Sequence, residues 1–203
     1  MRTMTRVVAL ATVLAFVPAT NVHSQAKAAA KPATSSSGEG FGLGYTDLGP
    51  VIGFGGLSYG GSVAIGGRFE HAIKAVPDMG NGMLGIQVGL SYYSSSQSGG
   101  GCSWNVSAMP IGGTVNYHFH MEEKKWDPFV GLGLGYVNYS AGSGCIFGGV
   151  NYGGSSSYNS GLFFTGRVGV RYFVSPKVAL YGDLGAGSFG ALNLGAMFKV
   201  GGK

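Results

Sequence analysis

Two arginines and an aspartate occupy matching positions in the most regularly patterned stretch of this chain. Between residues 161 and 173, apolar residues alternate with a series that includes Arg167 and Arg171, and after a Ser-Pro-Lys turn Asp183 continues the polar series. A period of two is typical of β-strands with one apolar and one polar face. On a soluble sheet these charges would meet water. If the apolar face meets lipid, they line the lumen of a transmembrane β-barrel, where buried charges need partners.

The first 24 residues have the features of a secretory signal peptide. Arg2 and Arg6 precede an apolar run over residues 7–17, and small residues follow, with cleavage after Ser24 or Ala26. The run is shorter than the roughly 20 residues that a membrane-spanning helix needs. We therefore predict an exported chain with a signal peptide at residues 1–24 and a flexible N-terminal segment at residues 25–49, rich in Ala, Ser and Pro at its start.

Charge and composition exclude several classes of protein. Losing two of 13 bases with the signal leaves 11 against eight acids, a net charge of +3 without a clustered basic stripe, so we predict no nucleic-acid binding. His118 and His120 share one strand parity and could bind a metal together, but no third ligand is evident, so we predict no metal and no cofactor. With 40 glycines the chain could be a low-complexity disordered one, but regular apolar alternation favours strands.

Eight alternating segments follow the N-terminal segment. No later segment is long and apolar enough for a transmembrane helix, and a membrane protein without one must be a closed barrel, because every backbone polar group in lipid needs a partner. Pro110 separates two parities in the fourth segment, which predicts a β-bulge there. We predict an all-β fold, an eight-stranded antiparallel up-and-down transmembrane β-barrel over residues 50–200, with a tail at 201–203. The predicted strands are 50–57, 62–73, 83–93, 104–119, 129–139, 161–173, 178–186 and 191–200.

The signal peptide, the alternating strands and the last strand, LNLGAMF from Leu192 to Phe198, together resemble the small eight-stranded bacterial outer-membrane barrels, the OmpA-like, OmpX-like and opacity-type group. The resemblance covers about residues 50–198. It implies location in the outer membrane of a Gram-negative bacterium, in contact with outer-membrane lipid and lipopolysaccharide. It also implies insertion by the barrel-assembly machinery, which would read Leu192, Leu194 and Phe198 as a C-terminal signal. The family signal usually ends the chain at the aromatic residue, whereas five residues follow Phe198 here.

Three functions are compatible with this architecture. In the first, paired polar side chains plug the lumen, and the protein has a structural or surface-interaction role with an unknown ligand at its outer loops. In the second, four inward bases facing two inward acids line a narrow, anion-tolerant diffusion channel. In the third, the protein is a lipid-modifying enzyme that uses Ser, His and acid groups at one rim of the barrel. However, His71, His118 and His120 are expected near the periplasmic ends of their strands, away from the serines of the outer loops. We therefore predict no catalytic residues. The predicted lumen residues are Arg68, Glu70, Gln87, Asn116, His118, Arg167, Arg171, Asp183, Asn193 and Lys199.

We also predict a disulfide between the two cysteines and a location at the membrane interfaces for several aromatic residues. Cys102 and Cys145 fall in the second and third outer loops, which are spatial neighbours in this topology, and export permits a disulfide between them. The alternative is two free thiols. Aromatic residues near the strand ends are expected to form girdles at the membrane interfaces. These are Tyr59, Tyr92, Trp104, Trp126, Tyr139 and Tyr172.

Overall fold

The computed structural model describes residues 40–55, 63–147, 150–155 and 160–202. The predicted signal peptide, most of the N-terminal segment and Tyr59 lie outside the described residues. No helix within the described ranges is long and apolar enough to cross a membrane. The strands are β1 (Thr46–Phe54), β2 (Val63–Val76), β3 (Gly82–Gly99), β4 (Cys102–His118), β5 (Trp126–Phe147), β6 (Val150–Ser155), β7 (Gly161–Ser175), β8 (Val178–Ala186) and β9 (Leu192–Gly201), with a 3₁₀ turn at Pro77–Met79.

Eight of these strands close into a ring. Around the ring the order is β1-β2-β3-β4-β5-β7-β8-β9, every neighbouring pair is antiparallel, and the pairing of the last strand, β9, with the first, β1, closes the circle. The short β6 pairs with the far end of β5. Closure gives each strand of the ring two hydrogen-bonded neighbours, so the ring presents no strand edge to its surroundings. The predicted fold class, an eight-stranded antiparallel up-and-down barrel, is confirmed.

Alternation along the strands separates an apolar exterior from a buried lumen. On β5, Val130, Leu132, Leu134 and Tyr136 are between 41% and 76% exposed, and the residues between them point inward. Large aliphatic side chains continue this pattern around the ring. A soluble protein rarely exposes so extended an apolar surface. We call this surface the apolar belt, and it is the part of the barrel that meets lipid.

Glycine makes the close approach of strands possible at the seam where the ring closes. Gly49 on β1 is buried, and a Cβ atom there would overlap the carbonyl oxygen of Ala196 on β9 and lie 2.9 Å from the Met197 Cα. On β5, Gly131, Gly133 and Gly135 face the lumen, where Gly133 leaves room for Thr114 of β4. Inward glycines let strands of a narrow barrel coil tightly.

Strand ends differ from the predictions on the side of the barrel away from the termini. Residues 94–103 and 140–160 were predicted to be loops, but β3 and β4 continue to a two-residue turn at Gly100 and Gly101, and β5 continues to Phe147 and pairs with β6. Both turn glycines have positive φ, 60° and 80°, as a tight hairpin requires. We call residues 94–107, 138–147 and 150–155 the outer extension, a four-stranded sheet in the order β3-β4-β5-β6.

The β-bulge predicted at Pro110 is wrong. The register between β3 and β4 passes from Leu90 opposite Ile111 to Tyr93 opposite Ala108 without a shift, and Pro110 pairs in register with Val137 of β5. The apolar parity nevertheless changes at this point of the sequence. The strand therefore keeps the same alternation of faces on both sides of Pro110. What changes is the environment of its inward face, which meets the lumen on the His118 side of Pro110 and the space above the barrel on the Cys102 side.

Candidate functional site

Seven buried polar side chains form a network in the half of the lumen nearest the chain termini. They come from six strands of the ring, and each is at most 4% exposed. Their positions follow from alternation, since each stands at an inward parity of its strand. We call them the inner cluster: Asp47, Glu70, Gln87, Asn116, His118, Asp127 and Arg171.

Arg171 holds the inner cluster together. Its Nη1 donates to Asp47 Oδ2 at 2.9 Å, its Nη2 donates to Glu70 Oε2, and its Nε lies 4.0 Å from Asp127 Oδ2. These carboxylates belong to β1, β2 and β5, whereas Arg171 belongs to β7, so the guanidinium ties separate parts of the wall together. Because Arg171 is fully buried, each of these charges depends on the others for stabilisation.

His118 lies between two carboxylates of the inner cluster. Its Nδ1 lies 2.9 Å from Asp127 Oδ1 and its Nε2 lies 2.8 Å from Glu70 Oε1. A doubly protonated imidazolium satisfies this arrangement by donating a hydrogen bond from each ring nitrogen. His120 lies beyond β4 and is exposed, so the structure does not bring the two histidines together. Over the described part of the chain, no group of three or more His, Cys, Asp or Glu side chains could hold a metal ion.

A second network, the outer cluster, fills the other half of the lumen. Arg167 Nη1 donates to Asp183 Oδ2 at 2.9 Å, Asn193 Nδ2 donates to Asp183 Oδ1 at 2.9 Å, and the Tyr181 hydroxyl also donates to Asp183. Gln87 Nε2, at 3.5 Å from the Tyr181 hydroxyl, links the two networks. The outer cluster consists of Arg68, Ser91, Tyr93, Arg167, Tyr181, Asp183 and Asn193.

Phe189 supports the outer cluster from the connection between β8 and β9. The guanidinium carbons of Arg68 and Arg167 lie 4.6 and 5.1 Å from its ring centroid. Arg68 also donates through Nη1 to the Ser91 hydroxyl at 3.3 Å. Attraction between guanidinium and aromatic ring offsets part of the cost of burying two cations in a region with one carboxylate.

The lumen holds more acids than the two that were predicted. Asp47 and Asp127 also lie in the lumen, so four acids meet the four predicted bases. Asp47 falls in the predicted flexible segment, and Asp127 falls between the predicted fourth and fifth strands. Each is the second residue of its strand in the structure, and each has the inward parity of that strand. Lys199 faces inward near the mouth, half-buried, with its ammonium 5.5 Å from the Tyr45 ring centroid.

Phe41 and Tyr45, which belong to the segment predicted to be flexible, pack into the inner mouth of the barrel, whereas Leu43 between them is exposed. Phe41 stacks on the His118 imidazole with ring centroids 3.8 Å apart, and the Arg171 guanidinium carbon lies 4.7 Å from the Phe41 ring centroid. Tyr45 is buried in an apolar cluster with Phe129, Phe173 and Met197. Sequence reasoning missed this apolar filling. Alternation of glycine with Phe41, Leu43 and Tyr45 was the available signal.

Aromatic side chains mark the edges of the apolar belt. Tyr92 and Tyr136 end it on the outer side, where the outward residues change to serine and asparagine, and Trp126 and Tyr172 pack 4.8 Å apart on the inner side. Trp104 and Tyr139 were predicted to belong to these girdles, but both have inward parity and lie in the outer extension.

The outer extension is covalently fixed. Cys102 and Cys145 stand directly opposite each other on β4 and β5, and the predicted disulfide joins them. In sequence, the extension contains no Asp, Glu, Lys or Arg. In the wall of the ring, Leu192, Leu194 and Phe198 lie on the outward face of β9, and their recognition by the assembly machinery stays a prediction.

The chain is similar to known proteins in architecture, but not in sequence. No protein-family model and no curated protein matches the chain. Among solved structures, Neisserial surface protein A is 16% identical over 77% of this chain and 95% of that chain, with a TM-score of 0.45. The N-terminal β-barrel domain of Pseudomonas aeruginosa OprF is 14% identical over 78% and 99%, with a TM-score of 0.42. The attachment invasion locus protein Ail of Yersinia pestis is 9% identical over 76% and 93%, with a TM-score of 0.42.

Similarity at this level carries no information on ligand or activity. The fold follows from the chain's own geometry: eight antiparallel strands form a closed ring, an apolar belt with aromatic edges surrounds it, and polar side chains fill its lumen. The chain is, in fold, a small eight-stranded transmembrane β-barrel.

Proposed function

We propose that this chain is an integral outer-membrane protein of a Gram-negative bacterium, that its lumen is closed, and that its role is structural and surface-interacting through the outer extension. The observation that carries the proposal is the division of the strands into two parts. A tilted strand needs about 9–11 residues to cross a bilayer, yet β3 has 18 residues and β5 has 22. The surplus residues form an ordered sheet beyond the apolar belt.

The pairing of charges supports a closed lumen. An ion passing through would have to separate Arg171 from its carboxylates and then Arg167 from Asp183. Separating a buried ion pair costs about 3–5 kcal/mol when one partner is left alone. Phe41 and Tyr45 add an apolar layer at the inner mouth, and the Phe189 ring packs against the guanidinium groups of Arg68 and Arg167.

The charge distribution supports the orientation. The connection between β4 and β5 carries Glu122, Glu123, Lys124 and Lys125, and the β7–β8 turn carries Lys177, all on the side of the termini. The outer extension is uncharged. We place the charged turns in the periplasm and the outer extension outside the cell. Contacts with lipopolysaccharide and the barrel-assembly machinery are part of this proposal.

We propose no catalytic role. His118 contacts two carboxylates and the Phe41 ring inside the lumen, and His71 Nδ1 lies 2.7 Å from the Thr46 hydroxyl. Both histidines lie in the inner half of the barrel, far along their strands from the serines of the outer extension.

Planar-bilayer recording tests the closed lumen. Residues 25–203, refolded and inserted into a lipid bilayer with potassium chloride on both sides, should give no discrete conductance steps above the lipid baseline. A porin refolded by the same protocol serves as the positive control for insertion. Reproducible single-channel steps from the unmodified chain would contradict the closed lumen and favour the diffusion channel.

A further inference from the structure

Three aromatic rings of the outer extension lie on one face; Tyr139 packs on the buried cluster at its base, whereas Trp104 and Tyr152 lie beside the disulfide. Cys102 is opposite Cys145, Cys145 is opposite Tyr152, and Trp104 is opposite Ser143 in the strand registers. Directly opposed residues of antiparallel strands point to the same side of a sheet. Trp104 and Tyr152 therefore flank the disulfide on the side that continues the lumen face. Two strand spacings and two residue steps place their Cα atoms about 12 Å apart. We call this side the extension face.

Both rings are accessible above the membrane. Trp104 is 48% and Tyr152 is 63% exposed. Tyr92 and Tyr136 mark the outer edge of the belt, so these two rings lie beyond lipid, in water. Large aromatic surfaces offer much contact area with few rotatable bonds. Because four strands and a disulfide hold the rings, little conformational entropy is lost when a ligand packs on them.

The absence of charge in the sequence of the extension determines which ligands fit. Phosphate, sulfate and carboxylate groups are recognised chiefly by arginine and lysine, and the sequence of the outer extension has neither. Its polar groups are the hydroxyls and amides of serine, asparagine and glutamine, and Gln97 stands directly opposite Trp104. These neutral groups donate and accept hydrogen bonds without needing a counter-charge.

A neutral sugar has the complementary chemistry. Its ring hydroxyls pair with hydroxyls and amides, and its apolar C–H faces pack on aromatic rings. The spacing of Trp104 and Tyr152 suits several linked sugars better than one. Building on the proposed surface role, we propose that the extension face binds a neutral oligosaccharide, with Trp104 and Tyr152 as its stacking platforms and Gln97 as a hydrogen-bonding partner.

Intrinsic fluorescence gives a direct test, because the chain has two tryptophans. Trp126→Phe leaves Trp104 as the single reporter. The refolded protein is held in a zwitterionic detergent without a sugar headgroup and titrated with maltoheptaose, cellohexaose and chitohexaose, with dextran sulfate as the acidic comparison. We expect a saturable change in Trp104 emission with at least one neutral oligosaccharide and none with dextran sulfate.

Two variants locate the binding. Tyr152→Ala should weaken the affinity about tenfold, as expected for the loss of one stacking contact. Ile146→Ala is the matched control, since Ile146 is 62% exposed but lies on the other side of the same sheet, beside a shallow depression of about 430 Å³ at the tip of the extension. Its affinity should equal that of the parent.

Three results would overturn the inference: no saturable change with any neutral oligosaccharide, binding of dextran sulfate alone, or loss of binding in Ile146→Ala with Tyr152→Ala unaffected. A separate assay distinguishes this failure from that of the proposed function. An epitope inserted at the Gly100 turn should be labelled by antibody on intact cells. Labelling without sugar binding removes the sugar inference and leaves the surface role standing, whereas an unlabelled epitope contradicts the surface role itself.

Discussion

Arg171→Met should lower the free energy of unfolding by about 3–5 kcal/mol, measured by urea titration of the protein in phospholipid vesicles. Methionine is similar in length, but it leaves Asp47 and Glu70 buried without the guanidinium that pairs with both. The expected loss comes from these uncompensated carboxylates. Adding Glu70→Gln to Arg171→Met should recover part of the loss, because one buried negative charge is then removed.

Lys199→Met is the matched control for the Arg171 change. It also replaces an inward cation of the lumen, but Lys199 is half-buried near the mouth and its ammonium lies against the Tyr45 ring. We expect a loss of about 1 kcal/mol or less. Equal stability of Arg171→Met and Lys199→Met would show that the inner cluster does not stabilise the barrel as described.

Gly49→Ala should prevent the ring from closing. The added Cβ would overlap the Ala196 carbonyl oxygen and come within 2.9 Å of the Met197 Cα, and backbone atoms cannot rotate away as a side chain can. Because β1 and β9 form the seam between the first and last strands, relief requires them to separate. We expect a loss above about 4 kcal/mol, seen as a severe drop in the folded fraction after refolding into lipid.

Gly142→Ala supplies the comparison, since no atom lies within 4 Å of a Cβ added to Gly142 on β5. This variant should fold in the same yield as the unmodified chain. A Gly49→Ala protein with the folded yield and urea midpoint of Gly142→Ala would contradict the tight seam.

The transmembrane strands were predictable because lipid imposes a strict pattern. Every side chain that faces lipid in the belt must be apolar, whereas the side chains that face the lumen are largely polar or glycine. The sequence therefore alternates strongly within the membrane, and the limits of the strands can be read from where the alternation begins and ends. The last three strands were predicted at 161–173, 178–186 and 191–200. In the structure they are Gly161–Ser175, Val178–Ala186 and Leu192–Gly201, so their limits differ from the prediction by at most two residues.

The outer extension was not predictable by the same argument. Above the belt both sides of the sheet meet water, so Ser94, Ser95 and Ser96 carry no alternation and resemble a loop. The phase change at Pro110 was likewise interpreted as a bulge, whereas it records the end of the membrane.

Some of the lumen residues could be predicted from the alternation of the strands alone. Their contacts across the lumen could not, because these depend on the closure of the ring. Arg167, Arg171 and Asp183 stand in patterned strands. Asp47 is the second residue of β1, next to a glycine-rich stretch, and its partner Arg171 lies 124 residues away in sequence. Alternation says which residues point inward, but it does not say which of them meet across the lumen.

The most direct test of the central claim, a closed barrel in the membrane, is the electrophoretic mobility of refolded residues 25–203 in detergent or lipid, before and after boiling. We predict a compact, faster form that slows after boiling, with and without reductant, since the ring closes through β1 and β9. A reductant-dependent shift of the boiled chain would report the Cys102–Cys145 disulfide. A single mobility before and after boiling, together with solubility without detergent, would contradict the membrane barrel and indicate a secreted β-sandwich.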